Sequence, residues 1–208
     1  MESLEQACKS FILGTAIADT AHDITHIERV VAVAKKLALA ENADLDVVIP
    51  AAWLHDCVAV PKNHPNRAIA SRLAADKATD FLQQFGYDES KLPAIHHAIV
   101  AHSFSANVVP ESLEAQIVQD ADRMDALGAI GISRCMKVGG AIARHVYHPK
   151  DPFCETREPD DKLYTLDHFF VKLLKIQNSM HTNAAKEEAQ RRTQYMHAFL
   201  EQLASEIS

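Results

Sequence analysis

The chain has 208 residues, 48% of them hydrophobic and 24% charged, with a formal charge of −7 at pH 7. That length suits one domain with a substantial buried core, and that balance excludes a disordered or fibrous chain. The acidic surplus argues against nucleic-acid polymers and anionic membranes as partners, so an anionic substrate would have to be met by a local basic patch. No apolar run reaches the roughly 18 residues of a membrane span, and Met1 to Lys9 carries acids and no signal-peptide core; the expected location is cytoplasmic. Cys8, Cys57, Cys135 and Cys154 show no CxxC spacing, which points to packing rather than to disulfides or a thiolate zinc site.

The periodicity is helical throughout, and strand-like alternation is hard to find. A first helix is expected over much of Glu2 to Ala18. A second runs from near Asp23 to Glu41, with Ile27, Val30, Val31, Ala34, Leu37 and Ala38 as its apolar stripe and His26 flanking it. The third starts near Asp46 as cap, tolerates Pro50 in its first turns, reaches Ala51, Trp53, Leu54 and His55, and stops before Pro61. The fourth covers Asn66 to Phe85, with Ala70, Leu73, Ala74, Phe81 and Leu82 facing inward and Gly86 as a left-handed cap. A fifth holds Ile95, His96, Ile99 and His102. The sixth spans Leu113 to Leu127 and the seventh Ala129 to Val138, with Gly128 a joint and Gly139-Gly140 a stop signal. The loop from His145 to Lys162 contains Pro149, Pro152 and Pro159, and its length suggests a lid or an interface. Two more helices follow, the last over Ala184 to Ser205. With no repeat and no low-complexity linker, the expectation is an all-α single domain over residues 1–208.

Twelve histidines are many for this length, and His-Asp occurs at His22-Asp23 and His55-Asp56. Chance alone supplies about one such dipeptide in a chain of this composition, so the dipeptide by itself is a weak motif. Position strengthens His55-Asp56: it ends the apolar stretch Ala51-Ala52-Trp53-Leu54, where an ionisable pair needs a partner such as a cation. His26 lies on a separate amphipathic helix, and Asp122 follows Ile117-Val118 within Gln119-Asp120-Ala121-Asp122-Arg123. Each residue alone has a plainer role. A single histidine is most often a satisfied core side chain, Asp122 can pair with Arg123, and Asp120 and Asp125 are nearby rivals.

The order His26, His55-Asp56, Ala121-Asp122-Arg123 resembles the signature of the HD superfamily of metal-dependent phosphohydrolases. The stretches Ala21 to Arg29, Lys62-Asn63-His64-Pro65, Ala101 to Ser105 and Ile117 to Arg134 are similar to a small stand-alone bacterial branch, so the likeness extends over most of the chain. The resemblance implies an HD-type helical bundle with one divalent cation on His26, His55, Asp56 and Asp122, and it leaves Asp120 and Asp125 out. Two imidazoles and two carboxylates suit manganese, iron, cobalt or zinc better than magnesium, which prefers oxygen ligands, and they leave coordination positions open for water and a phosphoryl oxygen. His22 and Asp23 either start the second helix or orient the His26 imidazole.

Some HD branches follow the dipeptide with an acidic pair, but here Cys57-Val58-Ala59-Val60 follows and no acid comes before Asp76. The Gly-Tyr-Pro element of cyclic-dinucleotide phosphodiesterases is absent too. The loop instead offers Lys62, Asn63, His64 and Arg67. With Asp56, His64 and Lys62 are the catalytic candidates; Lys62, Asn63, Arg67, His102, Arg29, Arg123 and Lys162 are the candidates for binding substrate charge. The expected activity is metal-dependent hydrolysis of a phosphate ester or anhydride in a small phosphorylated substrate, a nucleotide by preference and a nucleoside triphosphate cleaved to pyrophosphate in particular. The alternatives are a nucleotide monophosphatase or phosphodiesterase, a di-iron HD-type oxygenase using His97 and His102 for a second iron, and a noncatalytic metal- or nucleotide-binding sensor. A homodimer is compatible with all of them.

Overall fold

A computed structural model describes residues 3–15, 24–58, 60, 69–103 and 106–207. The candidates Lys62, Asn63, His64 and Arg67, with His22 and Asp23, lie outside the described residues. Among those described, the architecture is all-α: α1 Leu4–Gly14, α2 Ile24–Glu41, α3 Leu45–Leu54, α4 Ala70–Phe85, α5 Leu92–His102, α6 Leu113–Met124, α7 Gly128–Ala141, α8 Asp167–Val171 and α9 Asn183–Ile207. They are accompanied by the 3-10 helices Glu89–Lys91 and Leu173–Ser179 and an isolated bridge between His145 and Tyr164. The backbone divides into two compact units, Met1–Asp122 and Arg123–Ser208.

The first unit is built around α3, which packs against α1, α2, α4 and α5. Val47, Val48, Ala51, Ala52, Trp53 and Leu54 are all buried, so the helix is apolar on every side and must be surrounded. Its cap is Asp44 and not Asp46, because the Asp44 carboxylate accepts the Asp46 N–H at 2.9 Å. Pro50 sits in the helix interior, where it donates nothing to the carbonyl of Asp46 four residues earlier. Tyr87 supplies the missing donor: its hydroxyl reaches that carbonyl at 2.7 Å. The α2 stripe of Ile27, Val30, Val31, Ala34, Leu37 and Ala38 is buried as expected. On α4 the buried face is Ser71, Ala74, Ala75, Ala78 and Leu82; Leu73 is exposed, since the small residues let α5 approach closely. Phe81, expected to face inward, forms with Phe11 and Phe85 a stacked ladder that stays partly open to solvent. Gly86 ends α4 at φ +80, with its N–H on Gln83 and the Tyr87 N–H on Leu82, so the left-handed cap is present.

In the second unit α7 packs on α9. The expected joint at Gly128 is real, at φ +69. The expected stop at Gly139-Gly140 falls one residue short, because α7 ends at Ala141. A Cβ on Gly139 would stand 2.2 Å from Thr165 Oγ1, so the glycine serves close packing and not termination. The proline-rich loop is tied down from within. Asp151 accepts the N–H groups of Glu155 and Thr156 and the Thr156 hydroxyl, and Arg157 grips the buried Asp167 with two bonds of 2.5 and 2.7 Å. Asp160 N–H adds a third bond to that carboxylate at 2.6 Å, and the Arg157 guanidinium lies over the Tyr164 ring. Those bonds tie the segment to itself and to the buried start of α8. Cys8, Cys57 and Cys135 are buried and all four cysteines are free, in keeping with a packing role.

Candidate metal centre

Helix ends bring the site together within the first unit. His26 stands in the first turn of α2, His55 caps the C-terminus of α3 with Asp56 in the following turn, His102 is the last residue of α5, and Asp122 lies in the last turn of α6. At a helix C-terminus the final carbonyls lack helical donors, and His55 and His102 use this in the same way. His55 Nδ1 donates to the Ala52 carbonyl at 2.8 Å, and His102 Nδ1 to the Ile99 carbonyl at 2.6 Å. Each ring is thereby held with Nε2 turned the other way. Gln119, a residue the sequence did not single out, anchors α6: its buried side-chain amide donates to the Ala101 carbonyl at 2.6 Å. Its signal was a polar residue directly after the apolar pair Ile117-Val118. Asp122, three residues on, shares its helix face.

His26, His55 and Asp56 each offer a ligand atom, and those atoms lie within 4.8 Å of one another. Asp122 Oδ1 is 3.4 Å from His26 Nε2 and 3.9 Å from His55 Nε2, while Asp56 Oδ2 is 3.5 Å from His55 Nε2. These separations are long for charge-assisted hydrogen bonds, which run at about 2.7–2.9 Å. The two shorter ones match two donors on adjacent positions around one ion, which at metal–ligand lengths of about 2.1 Å stand roughly 3 to 3.5 Å apart, and the 3.9 Å separation is wider than that. His55 Nε2 is fully buried and has no hydrogen-bond partner among the described residues. An aromatic nitrogen lone pair left in that position is costly unless something fills it. The residues therefore fit a divalent cation.

Burial and neighbouring groups shift the titratable residues of the cluster in different directions. Burial is the main influence on His55 and keeps its imidazole below the ordinary value, hence neutral. Burial works to raise the Asp122 carboxyl, but the His26 contact, together with the positive charge that the neighbouring imidazoles carry when protonated, outweighs it and holds Asp122 well below the usual carboxylate range. For His102 burial is opposed by the Asp56 carboxylate, 3.5 Å away, and the net effect is upward.

The other candidates are dispersed. Arg29, one turn beyond His26 on α2, is half-buried and donates to Thr25 Oγ1 at 3.2 Å. Arg123 donates to the Ser179 carbonyl at 2.6 Å, and Lys162 is an exposed residue; both belong to the second unit. Asp125 is committed to Arg134 at 2.7 Å. His97 Nε2 accepts the Glu111 N–H at 3.0 Å, which leaves only its Nδ1 for a second metal.

The profile of the HD domain matches residues 23–127, half of the chain and the whole run from His26 to Asp122. The chain belongs to the HD-domain family. Within it, the uncharacterised protein YpgQ of Bacillus subtilis strain 168 is 34% identical over 190 residues, 89% of this chain and 84% of YpgQ. The crystal structure of B. subtilis YpgQ in complex with ADP superimposes with a TM-score of 0.76 at 30% identity, covering 98% of this chain and 97% of that one. An HD-superfamily hydrolase from Bacillus thuringiensis gives a TM-score of 0.75 at 35% identity, covering 97% and 95%. The all-α architecture expected from periodicity is thus the HD fold. No described helix is long and apolar enough to cross a membrane.

Proposed function

We propose that this HD-family chain is a metal-dependent phosphohydrolase acting on a nucleotide, with a nucleoside triphosphate cleaved to monophosphate and pyrophosphate as the preferred reaction. The observation that carries the reading is the grouping of His26, His55 and Asp56 around the buried, unpartnered Nε2 of His55, with Asp122 Oδ1 3.4 Å from His26 Nε2 and 3.9 Å from His55 Nε2. The ADP complex of YpgQ supports a nucleotide as the ligand class. When bound, a manganese, iron, cobalt or zinc ion would supply Lewis acidity, drawing charge from a phosphoryl oxygen and lowering the pKa of water.

The chain's own residues supply the rest. His26 and His55 bind as neutral imidazoles, and Asp56 and Asp122 bring the negative charge that balances the cation. Arg29 stands on the His26 face of α2, where a guanidinium can meet phosphate charge bidentately. Lys62, Asn63 and Arg67 would bind the polyphosphate and His64 would protonate the leaving group; a charge-assisted bond of this kind is worth roughly 1.5–3 kcal/mol. Lys62→Ala or Arg67→Ala should therefore lower kcat/KM about ten- to a hundred-fold while leaving the metal in place.

Turnover of nucleoside mono-, di- and triphosphates with each of the four metals, with products identified by chromatography, tests the reading. Monophosphate and pyrophosphate from a triphosphate are expected. Orthophosphate released from a monophosphate would reassign the chain as a monophosphatase, and metal-loaded protein that turns over no nucleotide would remove the enzymatic reading altogether.

A further inference from the structure

The N-terminal turn of α4 lies beside the metal cluster. Two contacts fix the direction of the helix: His96 Nε2 lies 2.8 Å from Asp76 Oδ1, and Gln83 Nε2 donates to Glu89 Oε1 at 3.4 Å. Rising numbers on α4 thus meet falling numbers on the α5 side, so the two run antiparallel and the start of α4 comes level with the end of α5, where His102 stands. Cys57, the residue after Asp56, donates its thiol to the Ala74 carbonyl at 3.2 Å and fastens the same end of α4 to the end of α3. Ser71 precedes Ala74 by three residues on one buried face. It is only 4% exposed, and its Oγ has no hydrogen-bond partner among the described residues. A buried hydroxyl in that state is costly unless something else bonds it. Helical side chains lean toward the N-terminus, so this hydroxyl leans toward the open end of α4. There the leading N–H groups have no carbonyl partner within the helix, and no side chain caps them. The turn holds no acid and instead carries the exposed Arg72, a cation where the helix dipole disfavours one. A bound anion would accept from the hydroxyl and the amides and would offset the guanidinium.

We propose that the N-terminal turn of α4 is a phosphate subsite of the metal centre, where the Ser71 hydroxyl, the leading N–H groups of the helix and the Arg72 guanidinium hold a phosphoryl group of the nucleotide. The proposal rests on the nucleotide reading above and deepens it, because it gives substrate charge a grip separate from the metal ligands. A helix N-terminus suits this ligand: its N–H groups point at one anion, and its dipole favours negative charge.

Calorimetric titration of Mn²⁺-loaded, gel-filtered protein with ADP and, separately, with inorganic pyrophosphate tests it, on wild type, Ser71→Ala and Arg72→Gln. Each variant should bind both probes about ten- to a hundred-fold more weakly, the usual effect of losing a hydrogen bond to a charged group. Mn²⁺ affinity should be unchanged in both, because neither residue is a ligand. Without any probe, Ser71→Ala should melt at or above the wild-type temperature, since it removes a buried hydroxyl that has no partner. A lower melting temperature would mean that the fold itself satisfies the hydroxyl, and would overturn the proposal. Wild-type affinity for pyrophosphate in either folded variant would overturn it too, as would a loss confined to ADP, which would set the turn against the base or sugar. Should Ser71→Ala fail to fold, the exposed Arg72→Gln decides alone. Metal-loaded wild type that binds neither probe would remove the nucleotide reading together with the subsite, whereas equal binding by wild type and both variants would remove the subsite alone.

Discussion

Ala52 and Ile99 give the site nothing but a carbonyl oxygen each, yet those two atoms set the direction of two imidazoles. The His55-Asp56 dipeptide is visible in the sequence; which ring nitrogen faces the site is not, because that depends on a backbone acceptor three residues earlier becoming available at a helix end. Tyr87 is a second case in which one atom decides. Its hydroxyl satisfies the Asp46 carbonyl that Pro50 leaves without a helical donor, and burial first, then the nearby Asp46 and Asp44 carboxylates, push its phenol up to about 12. Tyr87→Phe removes the donor and returns the carbonyl to a strained or solvated state. It should lower unfolding free energy by about 1 kcal/mol in urea denaturation, with the metal affinity unchanged. A neutral effect would mean that water replaces the phenol at no cost.

At the level of elements, helix existence was legible from periodicity and helix ends only in part: Gly86 caps α4 as its type suggests, whereas the end of α7 has a less local cause. Gly139-Gly140 carries the composition of a stop signal, but the deciding interaction is with Thr165, which lies 26 positions further along and is invisible to local pattern. Gly139→Ala forces a methyl against Thr165 Oγ1 and should destabilise the fold by about 1–3 kcal/mol. Thr165→Ser in the same chain should recover little, because the hydroxyl oxygen is the atom nearest the new methyl. Thermal melts of the two variants check this. The bonding of the proline-rich segment was hidden for a related reason: Arg157 and Asp167 look like two ordinary surface charges until folding buries the carboxylate. Burial works to raise the Asp167 carboxyl, but the Arg157 guanidinium and the Asp160 N–H outweigh it and hold it below its usual value. A depressed folded value means that the unfolded chain takes up the proton first as the pH falls. The pair therefore stabilises fully above about pH 4, and its contribution is lost as the pH drops through the folded value. Arg157→Ala leaves a buried carboxylate without its cation and should cost about 3 kcal/mol at pH 7. The same variant should show a shallower loss of stability on acidification than wild type. An unchanged acid limb in denaturation curves taken from pH 7 to pH 3 would contradict the assignment.

Taken as a whole molecule, the chain shows which parts of an HD protein a single sequence can specify. The buried stripe of α2 and the uniformly apolar α3 are written in the hydrophobic pattern, and the order of His26, His55-Asp56 and Asp122 carries the family. The dispersal of the remaining charges was not legible. Arg123 follows a candidate ligand directly, yet its guanidinium is spent on the Ser179 carbonyl, and His97 sits one turn from His102 yet caps the Glu111 amide. Sequence spacing places such residues on the right helix without fixing what their side chains reach. With a net charge of −7, the protein should depend on a cation to hold an anionic substrate at all. The central claim is that the cluster around His55 binds a divalent ion, and the most direct measurement is the metal content of Mn²⁺-loaded, gel-filtered protein by mass spectrometry, with wild type, His55→Ala and Asp56→Ala side by side. About one ion per chain in wild type and a small residue in both variants is predicted, with helical content retained because the core is aliphatic. Full occupancy in folded His55→Ala or Asp56→Ala, or none in wild type, would contradict the account.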